Sequence, residues 1–121
     1  MPLTKQKLAD RIVELVNRQG DATHGTMICH LGDAVRGKEA IYVDAANICI
    51  AVGASRVLAD AIEVLMTEQP RRVAFDVAHP LVALCDGIPM PSRMAWAKRP
   101  PRNGSYRHPH FAPIRLERVT A

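Results

Sequence analysis

Apolar positions in the first fifth of the chain recur at helical spacing. Leu8, Ile12, Leu15 and Val16 fall at i, i+4, i+7 and i+8, and Lys7, Arg11, Glu14 and Arg18 occupy the opposite side. A first helix is predicted over 4–19, stopped by Gly20. Thr23 or Thr26 is placed to cap a second helix through about Val35 that buries Met27, Ile28, Leu31 and Val35, although Gly32 weakens its interior. Glu39 to Val43 reads as a short β-prone run or an irregular connector. Asp44 then stands where a cap is wanted, ahead of a helix over Ala45 to Val52. Gly53-Ala54-Ser55 makes a tight turn, with Gly53 suited to positive φ and Ser55 to capping. Beyond it Leu58, Ile62, Leu65 and Met66 again mark one helical face, and Pro70 prevents continuation. The short run before the turn is ambiguous by period. Ile48 and Ile50, with Tyr42 and Val43, form a strand pair in the alternative reading.

After Pro70 the period becomes two. Val73, Phe75 and Val77 share a face, Ala78-His79-Pro80 is a turn, and Leu81 to Leu84 is read as the returning strand of a hairpin. Six of the nine prolines lie from Pro89 onward, which excludes long helices there. Met94 to Lys98 is a short strand or helical turn anchored by Trp96, and Arg99 to His110 is polar, extended and basic. Phe111 to Val119 alternates through Ile114, Leu116 and Val119, so the terminus is expected to return as a strand.

Two helices joined by so tight a turn cross steeply, the geometry of a helix-turn-helix. Three helices, the last preceded by Gly53-Ala54-Ser55 and followed at once by a hairpin, resemble in their order a winged helix-turn-helix domain. NICIAVGASRVLADAI carries the likeness through Ile48, Ala51, Gly53, Ser55, Ala59 and Ile62, and RVAFDVAHPLVAL is the candidate wing. The style is that of small regulators carried by phages and plasmids. The resemblance implies an α+β fold, with a winged-helix domain over 1–87 and a Pro/Arg-rich extension over 88–121 packing back as a strand. It also implies DNA as partner, the second helix of the pair in the major groove and the wing on the backbone.

Composition sharpens this. An apolar content of 48 % suits a globular chain, and 4 % aromatics require an aliphatic core. No apolar run has the length of a membrane span and no signal segment opens the chain, so a cytoplasmic protein without a membrane partner is expected. Cys29, Cys49 and Cys85 read as reduced core thiols.

The net charge of +4 is uneven: residues 1–53 are balanced and residues 54–87 are acidic. Residues 88–121 set Arg93, Lys98, Arg99, Arg102, Arg107, Arg115 and Arg118 against Glu117 alone. An arginine-rich segment suits phosphate or carboxylate partners. The expected nucleic-acid contacts are therefore Ser55 and Arg56 at the helix start, Arg71 and Arg72 in the wing, and Lys98, Arg99, Arg102 and Arg107 in the arm. Tyr106 and Phe111 interleave with the arginines and are candidates for stacking on bases.

The would-be recognition helix departs from the family in bearing Asp60, Glu63 and Glu68, which repel phosphate. Those three residues define the alternative, a protein-interaction module on the same scaffold that meets a basic host protein or nucleoprotein complex. A homodimer is admitted under either reading.

Chemistry is otherwise sparse. Serine occurs only at 55, 92 and 105, outside any nucleophile elbow, and Cys29 and His30 are sequence neighbours that diverge on a helix. There is no phosphate-cradling loop and no Cys-x-x-Cys. His108-Pro-His110 reads as a solvated or phosphate-facing loop, His24 and His30 as surface groups near helix ends, and His79 as a turn residue. No catalytic residue, metal ligand or cofactor is expected.

Overall fold

Helix α1 (Lys5–Gln19) starts where the Thr4 hydroxyl accepts the Lys7 N–H at 3.2 Å and ends where Gly20 turns to φ 95°. The computed structural model describes residues 3–91, 94–97 and 105–119. Strand β1 (Asp21–Thr23) follows, and Thr23 caps helix α2 (His24–Leu31). That helix stops at Gly32, at φ 60°, and 32–34 form a single 3₁₀ turn, so it is shorter than the predicted span to Val35.

Strands β2 (Arg36–Val43) and β3 (Ile48–Ala54) form an antiparallel hairpin around a 3₁₀ turn at Asp44–Ala46 and a left-handed Asn47. This overturns the helix expected over Ala45 to Val52 and bears out the strand-pair alternative. Ile48, Cys49, Ile50 and Ala51 are all buried because β3 is an inner strand, bounded by β2 and by the later strand β6 (His110–Phe111). Burial on both faces turns an alternating pattern into an unbroken apolar run. Gly53 does take positive φ, at 67°, but the turn joins a strand to a helix, not helix to helix.

Helix α3 (Arg56–Thr67), capped by Ser55, buries Leu58, Ala61, Ile62 and Leu65 against α1. Strand β4 (Val73–Val77) comes next, as its alternation predicts. Leu81 to Leu84 is not its returning strand. Pro80 at the start and the His79 ring, which accepts the Leu81 N–H at 3.1 Å, set up a short helix, α4 (Pro80–Asp86). The partner of β4 is instead the last strand, β7 (Ile114–Arg118), paired antiparallel with Phe75 opposite Leu116.

Two sheets result. One has the order β1-β7-β4, with β7 in the middle. The other has the order β2-β3-β6-β5, where β5 (Ala95–Trp96) and β6 (His110–Phe111) run parallel to each other and β6 runs parallel to β3. The main core lies between α1, α3 and the sheets. A smaller cluster, Cys49, Ala83, Ile88 and Phe111, fastens the connection between β4 and β7 to the outer face of β3.

Of the three thiols only Cys49 is a core group; Cys29 and Cys85 are exposed on their short helices, contrary to expectation. His30 is exposed and lies 2.9 Å from the Gln19 amide, whereas His24, the first residue of α2, is buried, contrary to the surface position expected of it.

Candidate functional site

The basic candidates separate into those committed to the framework and those that face outward. The Ser55 hydroxyl accepts the Leu58 N–H at 3.1 Å and donates to the Ala34 carbonyl at 2.6 Å. Its single proton is thus given to the protein. Arg56 is largely exposed and approaches Asp60 one turn on at 3.5 Å, a surface pair of small weight.

Arg72 is a strut. Its Nε donates to both carboxylate oxygens of Glu68, at 3.0 and 3.1 Å, and its Nη1 donates to Asp10 at 2.8 Å. The hydrogen bonds from Arg72 hold the Glu68 and Asp10 carboxyls below their ordinary range and raise the guanidinium. Arg72 and Glu68 therefore tie α1 to the end of α3, and neither is presented to a partner.

The last strand repeats the theme. Arg115 Nε donates to Asp21 at 2.8 Å, its Nη1 lies 2.8 Å from Glu117, and Arg118 donates to the Asn17 carbonyl. Arg71 and Arg107 are exposed. Lys98, Arg99 and Arg102 lie outside the described residues.

Of the two aromatic candidates, Phe111 is fully buried and packs edge-to-face with Trp96, ring centroids 5.1 Å apart, so it cannot stack on a base. Tyr106 is half-buried and lies face to face with the His110 ring at 4.0 Å. Its backbone is pinned to the hairpin turn through the Ala46 carbonyl and the Asn47 amide.

The acidic candidates also divide. Asp60 and Glu63 border an open groove of about 430 Å³ between α3 and β2, and Glu68 does not. Sequence reasoning missed this groove, because it exists only once 36–54 fold as a hairpin against α3. The signal available was the pair of apolar runs on either side of Asp44–Asn47, which meet with Val43 opposite Ile48 and Ile41 opposite Ala51.

Among the described residues no group of three or more His, Cys, Asp or Glu side chains is arranged to hold a metal ion, and no helix is long and apolar enough to cross a membrane. Comparison of the chain with protein-family models, with characterised proteins and with solved structures gave no match.

Proposed function

We propose that this chain is a small DNA-binding protein, a transcriptional regulator on a winged helix-turn-helix type of scaffold, and that it meets DNA through the connection between β4 and β7. The chain order supports the scaffold: α1, α2 and α3 precede two antiparallel neighbours, β4 and β7, with the hairpin β2–β3 inserted between the second and third helices. On this reading residues 78–113 stand where the tip of a wing would be.

The observation that carries the functional reading is the allocation of charge. Arg72, Arg115 and Arg118, on or beside the framework strands, are bonded to protein groups, and Arg56 faces an acidic helix surface. The connection bears Arg93, Lys98, Arg99, Arg102 and Arg107 against Asp86 alone. Arg71 is exposed just before β4, at the opposite end of that strand from this connection. Such a segment binds phosphate with little dependence on base sequence.

The test is a salt titration of duplex binding. Each phosphate neutralised contributes about 0.9 to the slope of log K against log salt. Replacing Arg99, Arg102 and Arg107 by serine together should lower that slope by roughly 2.7 if each meets one phosphate. Arg56→Ala should leave it nearly unchanged. Absence of duplex binding above background at low salt would defeat the proposal.

A further inference from the structure

The groove beside α3 has the wrong charge for nucleic acid and the right form for another polypeptide. Its apolar surface is made by Ile41 and Val43 of β2 with Ala59 and Met66 of α3. Asp44, Asp60 and Glu63 border it against Arg56 alone. One wall is β2, the end strand in the order β2-β3-β6-β5, so one edge of its backbone has no strand beside it among the described residues.

An open edge is a template for another strand, and proteins usually guard it with charge. Here the guard is partial. Arg36, Lys38 and Glu39 stand in the first half of β2, and Ala40 to Val43, the half that lines the groove, carries no charge at all.

We propose that Ala40–Val43 and the adjoining groove bind an extended segment of a partner protein in which aliphatic side chains alternate with lysine or arginine. Main-chain hydrogen bonds to the free edge of β2 supply register. Every second side chain of the segment enters the apolar groove, and the intervening cations meet Asp44, Asp60 and Glu63. Residues 40–43 offer about 13 Å of edge. An incoming cation competes easily with Arg56, whose pairing to Asp60 is long and exposed. Phosphate and acidic peptides are repelled by the same three carboxylates. This inference is independent of DNA binding by residues 78–113.

The experiment uses the full chain and labelled peptides of about nine residues, enough to span 40–44 with a margin at each end. One alternates valine with arginine, one alternates valine with glutamate, and a third is the arginine peptide with its central valine replaced by proline. Fluorescence anisotropy should show the arginine peptide binding about tenfold or more tightly than the other two. Amide shifts should cluster at 40–44 and around Glu63.

The double variant Asp60→Lys, Glu63→Lys alters side chains at the surface and should remove the preference for the arginine peptide while leaving the circular-dichroism spectrum unchanged. Equal binding of the arginine and glutamate peptides would overturn the proposal, as would amide shifts away from the groove, or a preference that survives in the double variant. Self-association of the wild type that disappears both in the double variant and in Arg99→Ser, Arg102→Ser would also overturn it, by assigning the groove to a second copy of this chain.

Discussion

Phe111 decides whether the basic connection is carried on a fixed platform, and Phe111→Ala measures it. The ring is fully buried against Cys49, Ala83 and Ile88, and its centroid lies 5.1 Å from that of Trp96 at an interplanar angle of 88°. Its strand is held on both sides: Ala112 donates to the Cys49 carbonyl and Ala97 to the Phe111 carbonyl, each at 2.8 Å. Truncating a buried phenylalanine to alanine costs about 3–5 kcal/mol, of which an edge-to-face pair accounts for about 0.5–1.5. The cluster is small, and Trp96 is only half-buried and able to lean into the space, so the loss should sit near the low end, about 3 kcal/mol.

Chemical denaturation followed by two signals provides the assay. Trp96 is the sole tryptophan and reports on the connection, and far-UV circular dichroism reports mainly on α1 and α3. With β6 joined to β3 and β7 in the middle of the other sheet, both signals should shift together. A loss below about 1 kcal/mol would show that Phe111 is not packed as described. A shift in fluorescence alone would show the connection to be a separate unit, and would remove the platform on which its arginines are thought to be carried.

Leu58, 1 % exposed beneath α1, should cost about 2–5 kcal/mol when changed to alanine, and a loss near zero in urea titration would place that face of α3 at the surface. Ser55→Ala should cost about 0.5–2 kcal/mol through the lost cap while leaving duplex affinity per folded molecule unchanged, because the hydroxyl is already used twice; a binding defect without a stability defect would contradict this. His24 is buried with neither ring nitrogen bonded to protein, and burial lowers its pKa below 6.5. The unfolded chain then takes up the proton first, so stability should be level above about pH 6.5 and decline below it. His24→Leu should flatten that decline, and an unchanged pH profile would refute it; the depressed carboxyls of Asp10 and Glu68 lose their contribution only at lower pH, as they protonate.

The sequence by itself determined the elements whose signals are local. Thr4, Gly20, Thr23 and Ser55 mark helix ends by hydrogen bonds within a turn, and four apolar residues at helical spacing suffice to orient α1 and α3. The alternation of Val73–Val77 and of Ile114–Leu116 likewise identified two strands, because one side of each faces the core. Only the tertiary structure decided that Ile48–Ala54 is a strand, since its unbroken apolar run acquires meaning from β2 on one side and β6, some sixty residues later, on the other. Only the tertiary structure gave β4 its partner, because the nearby Leu81–Leu84 segment is the more apolar of the two candidates, yet Pro80 with His79 made it helical and left β4 to the distant β7. The site followed the same division. The surplus of arginine after residue 87 was legible as charge, but that Arg72 and Glu68 are spent on each other and on Asp10 depends on α1 lying against the end of α3. Charge is a property of the chain, whereas its availability to a partner is fixed by which opposite charge the fold brings within hydrogen-bonding distance.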